Sequence, residues 1–483
     1  MGPLIRLDWA LLRASWPARL AVLVFALAST LAVAAGLQWQ DRYEAVAEPE
    51  RQQVRQSAEK LYSIFDGMAD GTVTPFDLRR PQNEWPLFSE YVFDPQDPYA
   101  ASFYYQQLAY LPPGPVMALA QGVTPLLPNH VLIYTQSLNV LFQPGAAPER
   151  TNPALLALGR FDLLAVILIL VPLMAIAILH DARAREREAG IFPMLQSVGV
   201  RSRALFNRRL VFRGGLLLAI VGVSVIVAGV VSGAAAGRLA LFTLMACIYA
   251  LFWTAITGAI AAKSRSAVGS AALSLTLFAA LVLVGPGVAE SLARPEGLLK
   301  PRAFVDAEIR ALAREWGPAD RDDDRIQFVA ETYWGLNGGV FPDCADYRYA
   351  FEVFSNRRLA DQAFSEAQAS AHDATTLLDR RLDTLAVLVP PLGFRRAMEA
   401  IAGSSAARAQ AFEKSVVDYH AQWRDRATDD LINCRRWDRA TFDPAPAYVW
   451  EEPAPGPTTL AYALAGLLLW TGLSLFLVSR TND

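Results

Sequence analysis

Side chains able to do chemistry are few and scattered along this chain. Asp320, Asp322, Asp324 and Glu331 stand at positions 1, 3, 5 and 12 of a calcium-loop spacing. The sixth position, where the sharp turn needs Gly, is Arg325, so the run reads as the charged start of a solvated helix. Cys344 and Cys434 share one segment and are candidates for a bridge, although sequence gives no distance between them. Cys247 falls inside an apolar run and reads as a small filler. His130, His180, His372 and His420 have no partner at i+4, which leaves a zinc site unsupported. No Ser stands in a Gly-x-Ser-x-Gly elbow. Nor is there a Gly-x-x-x-x-Gly-Lys-Ser/Thr loop to cradle nucleotide phosphates. Ala262-Lys263-Ser264 comes nearest and reads as a snorkelling lysine at a membrane edge. No catalytic constellation emerges.

The elements that carry these residues are set by composition. Of 483 residues 53% are hydrophobic and 19% charged, against about 45–50% and about 25% in average soluble proteins. A net charge of −3 argues against nucleic acid as a partner, because phosphate binding needs a basic face. The apolar residues concentrate in six runs, 20–37, 163–179, 214–231, 239–262, 267–289 and 458–478, none containing Asp, Glu, Lys or Arg. A helix crossing a hydrocarbon core needs roughly 17–25 such residues. Only a helix satisfies its own backbone over that length in lipid. The predicted fold is therefore a mainly α membrane protein.

The predicted order is an interfacial helix (1–19), a first span (20–37), a first outer domain (38–160) and a second span (161–179). A basic connection (180–213) leads to spans at 214–231, 239–262 and 267–289. A second outer domain (290–457), a sixth span (458–478) and a short tail (479–483) complete it. Arg6, Arg13 and Arg19, the eight arginines of 180–213, Lys263, Arg265 and Arg480 all fall on one side, so both termini are predicted to be cytoplasmic. The two long outer segments carry an acidic excess. Ala32-Val33-Ala34 resembles a leader-cleavage site, but its apolar run exceeds the roughly 7–15 residues of a leader core, and a retained span is expected.

The first outer domain reads as mixed α/β and Pro-rich: a helical stretch at 48–65, many prolines and aromatics, then strand-like 130–141. The second reads as mainly helical. Asp162 stands where a carboxylate favours a helix start, with a gating role as the lesser reading for it and Arg160.

The most informative stretch is His180 to Arg213. A charged helix reaches Gly190, a short amphipathic piece (Ile191, Phe192, Met194, Leu195, Val198) ends at Gly199, and a second basic helix leads into the third span. A short apolar-faced helix held below a membrane by two charged arms is shaped for a partner's groove; its plainer reading is an interfacial helix on lipid.

Glu186-Arg187-Glu188-Ala189-Gly190, followed by Leu195-Gln196-Ser197-Val198-Gly199, resembles the coupling segment of ABC-2 type permeases, the membrane subunits of ABC transporters. Asn152-Pro153 with Gly159-Arg160-Phe161-Asp162 is similar to one subgroup, which carries a large extracytoplasmic domain of unknown function between its last two spans. Pro390-Pro391-Leu392-Gly393-Phe394, Ala400, Ala402-Gly403-Ser404, Phe412 and Tyr419 to Trp423 resemble that domain's signature. Ile191-Phe192-Pro193 departs from the family's Thr-Leu type continuation. The resemblance implies six spans of type-2 exporter architecture in a bacterial inner membrane. It implies a separate ATPase subunit that binds the ATP and Mg and is contacted through Glu186, Arg187, Glu188, Gly190, Met194, Leu195 and Val198. It also implies a second permease copy or a sister permease. The chain itself is expected to hold no cofactor and to be no enzyme. Export of an apolar substrate, mechanical action on periplasmic proteins, and a receptor or enzyme working through the outer domains are three readings the sequence leaves open.

Overall fold

The computed structural model of the chain describes residues 3–74, 96–98, 106–126, 128–135, 161–188, 190, 202–295, 322–336, 348–442 and 447–480. Helix α1 (Pro3–Ala14) turns at Ser15 into α2 (Trp16–Ala45), whose first turn accommodates Pro17 because N–H groups there have no helical partner. α3 (Glu48–Ala69) follows. Strands β1 (Gln107–Tyr110) and β2 (His130–Ile133) pair antiparallel, with Gln107 opposite Ile133 and Tyr110 opposite His130. Next come α4 (Leu163–Leu179), the short α5 (Ala184–Glu188), α6 (Ser202–Val231) and α7 (Ala236–Lys263).

α8 (Ala267–Phe278) runs through a π-helical stretch, Ala279–Val284, into α9 (Gly285–Ala293). Pro286 cannot donate to the preceding turn, and a widened turn absorbs that loss without ending the helix. The remaining helices among the described residues are α10 (Asp322–Tyr333), α11 (Arg348–Ala386), α12 (Pro390–Ala402), α13 (Ala406–Ile432), α14 (Arg439–Phe442) and α15 (Pro457–Ser479).

Among the described residues, five helical stretches are long and apolar enough to cross a membrane: Trp16–Ala69, Arg203–Val231, Ala236–Lys263, Ala267–Ala293 and Pro457–Ser479. Their outward faces expose Leu23, Leu27 and Leu31 on α2, Val227 and Val230 on α6, and Leu469 and Leu473 on α15. Apolar surface of that extent suits lipid and not water. The chain is a multi-pass, mainly helical membrane protein. Where the sequence predicts its second span, α4 is apolar but only 17 residues long. It lies at the heart of the bundle, packed by α2, α6, α7, α8 and α12.

Two features depart from the sequence reading. The two predicted outer segments, 38–160 and 290–457, share their cores. Leu61 and Phe65 of α3 pack with Phe354, Trp423 and Trp437, and Leu111, Val131 and Ile133 pack with Phe412 and Val416. Each segment alone exposes one half of an apolar interface, so they bury it together. The second departure is α12, which falls within the predicted outer segment 290–457 but is buried against α7 and α15. Small residues draw it in: Gly466 leaves room for the Ala386 carbonyl, which would lie 2.9 Å from an added Cβ, and Gly393 leaves the same room for Ala463. Trp470 Nε1, midway along α15, donates to the Val387 carbonyl at 3.2 Å, so the turn between α11 and α12 reaches the middle of the bundle.

Candidate functional site

Arginines of the 180–213 connection cap the helix ends around it. The last carbonyls of an α-helix have no partner within the helix and carry the negative end of its dipole. Arg213 Nη1 donates to the Ile178 carbonyl at 2.7 Å in the last turn of α4, and Arg209 Nη1 to the Ala182 carbonyl at 3.1 Å in the turn that follows it. Arg183 Nη1 donates to Ala262 at 2.7 Å at the end of α7, and Arg203 donates to the Ser479 carbonyl at the end of α15. At the opposite pole of the dipole, Glu188 Oε1 accepts from the Ala267 N–H of α8 at 2.8 Å, beside the Ser266 N-cap.

One acidic residue ties this set to the N-terminal helix. Asp8 of α1 is buried and accepts twice from Arg213, at 2.9 Å from Nη2 and 3.2 Å from Nε, with Arg209 Nε 3.4 Å away. Arg213 reaches Asp181 Oδ1 at 2.8 Å with its remaining nitrogen. Breaking such a buried pair by removing one partner costs about 3–5 kcal/mol, because a desolvated charge is left behind. Movement of either arm of the 180–213 connection must therefore carry α1, α4 and α6 with it.

A second relay lies at the bundle centre. Pro172 removes the N–H that the Leu168 carbonyl of α4 would otherwise receive. The Tyr249 hydroxyl of α7 donates to that carbonyl at 3.0 Å. The Tyr249 ring in turn stacks on Phe394 of α12, 4.0 Å between centroids and 6° from parallel. The segment 114–123 closes the far end. Leu119 accepts from Leu164, Val116 N–H donates to Ala402, Ala235 N–H donates to Pro115, and Val123 N–H donates to Ser404. Asp162 is the N-cap of α4, accepting from Ala165 at 2.8 Å and from Gln121 N–H of this segment at 2.9 Å.

Beyond that segment, in the shared body, Arg424 donates to Asp361 and to the Thr135 carbonyl, the latter at 2.7 Å. His420 Nε2–H donates to the Tyr134 carbonyl at 2.9 Å, with the Arg424 guanidinium 3.1 Å away. Burial first, and the Arg424 charge second, hold the His420 imidazole well below its ordinary range.

The structure brings only part of the predicted set together. Glu186 and Arg187 lie on α5, Glu188 caps α8, and Gly190 is an exposed turn residue at φ 68° with open space around it. Met194, Leu195, Val198, Arg160, Cys344 and Asp320 lie outside the described residues. Cys434 is disulfide-bonded and Cys247 is free. Asp322, Asp324 and Glu331 lie on one helix, α10, not in a loop. Sequence reasoning missed Asp8, Arg213, Tyr249 and Phe394 as joints. Two signals pointed to them: a lone acid on a basic helix, and Pro172 inside an apolar run.

The profile of a domain of unknown function (DUF3526) matches residues 340–451, a stretch that includes α11, α12 and α13. No curated protein and no solved structure matches the chain.

Proposed function

We propose that this chain is the membrane-spanning permease subunit of an ABC transporter, driven by a separate ATPase subunit that binds the 180–213 connection. α4 serves as the sixth span. The observation that supports this most strongly is the Asp8–Arg213–Asp181 knot, because it joins both arms of the connection to α1, α4 and α6. ATP-driven closure of the ATPases pushes on the connection. The arginine caps pass that push to the ends of α4, α7 and α15, and access to the cavity between two permease copies changes. The test is affinity purification of the tagged chain from its own membrane with identification of every co-eluting chain. An ABC ATPase is expected; repeated absence of any ATPase would sink the reading.

A mechanical reading without a translocated substrate is favoured by α12. That helix is buried among the spans, and Gly403 at its end leads directly into α13 of the outer body. ATP turnover in vesicles that accumulate no candidate substrate would select it.

A further inference from the structure

We propose that α1 forms a binding face for anionic phospholipid headgroups, built from Arg6, Trp9 and Arg13 and continued by Trp16. Spacings of three and four place Arg6, Trp9 and Arg13 on one side of α1. All are exposed, Trp9 by 41%, and Trp16 just beyond the turn at Ser15 by 64%. Two exposed indoles this close together are costly in water and favoured at a bilayer boundary.

The face cannot roll away. Asp8 is fixed by Arg213 and Arg209, and Leu12 is buried in the bundle core, so the remaining side of the helix is presented outward. Its depth follows from α2, whose exposed Leu20, Leu23 and Val24 begin within two turns of Trp16. Trp9 and Trp16 therefore lie at headgroup level, with the guanidinium groups level with phosphates.

Charge selects the headgroup. Arg6, Arg13 and Arg19 are exposed and have no ion-pair partner among the described residues. The one acid of α1, Asp8, is buried and paired. A net-positive face at this depth favours a phosphatidylglycerol-type headgroup over a zwitterionic one. The inference requires only that the bundle sits in a bilayer, and it holds whether or not the chain is a permease. Because Asp8 joins α1 to α4 and α6, headgroup occupancy would also steady that joint.

The test uses the full-length protein in bilayers containing brominated phosphatidylglycerol or brominated phosphatidylcholine. The chain has 11 tryptophans, so the difference between wild type and W9F/W16F isolates the relevant fluorescence. That component is expected to be quenched at least about twofold more by the anionic lipid, with the preference weakened by salt. R6Q/R13Q should abolish the preference, while R55Q on α3 leaves it unchanged. Equal quenching by both lipids, or a preference that survives R6Q/R13Q, would overturn the proposal. No quenching by either lipid would show that the face is covered by protein, and would overturn it too.

Discussion

Tyr249 and Leu168 are joined by a hydrogen bond that exists because of a third residue. The hydroxyl donates over 3.0 Å to the carbonyl that Pro172 deprives of its helical donor. Tyr249→Phe strands that acceptor in an apolar bundle and should destabilise the protein by about 1–3 kcal/mol. In a Pro172→Ala background, where the backbone supplies the donor, the same change should cost about 1 kcal/mol less. Denaturant unfolding of the four proteins in detergent measures the cycle; equal costs in both backgrounds would refute the relay.

Asp8→Asn and Arg213→Gln each leave a buried group partly unpaired, and each should destabilise by about 3–5 kcal/mol. Asp8→Leu with Arg213→Met removes both charges and should recover part of that loss. Thermal inactivation in detergent reports the order. A double variant no better than the singles would show that the two side chains do not act as a pair.

Gly466→Val drives a branched side chain into the Ala386 carbonyl and Val387, so the turn between α11 and α12 must withdraw from α15. The expected loss is about 1–3 kcal/mol, together with a weakened Trp470 contact to the Val387 carbonyl. Protease protection of the 386–390 turn measures the withdrawal; wild-type protection would show that α12 is not held there by close packing.

His420 makes the body shared by the β-hairpin and α13 sensitive to acid. Its folded-state pKa is depressed, so the unfolded chain binds the proton first. The stability this contributes is complete above about pH 6.5 and is lost as pH falls below it, by up to about 1.4 kcal/mol per unit. Burial lowers His130 in the same direction, so His420→Gln should flatten the decline between pH 7.5 and pH 5.5 without abolishing it. Unfolding midpoints at several pH values give the slope, and an unchanged slope in His420→Gln would contradict the assignment.

The apolar runs were legible because each is uncharged over the length of a bilayer crossing, and five of the structure's helical stretches match that expectation. α12 was not legible, because 13 residues are too few to span, and what holds them inward is tertiary: Gly393 against Ala463, Phe394 on Tyr249, and the preceding turn against Gly466. The joint between Asp8 and Arg213 spans 205 positions, and no local pattern links residues that far apart. Trp423 and Leu61 looked like parts of separate domains for the same reason, since a shared core depends on tertiary placement. Asp162 was legible as a helix-start charge because capping is local. Met194 and Leu195, the proposed docking residues, lie outside the described residues, so that reading rests on sequence.

In the proposed function a partner's nucleotide cycle enters this chain through the 180–213 connection. The most direct measurement is ATP turnover by the co-purified complex in liposomes, compared among wild type, Glu188→Arg and Met194→Asp. Both variants are expected to insert normally but to lose either the ATPase or the stimulation of its turnover. Full co-purification and wild-type stimulation in both variants would contradict it.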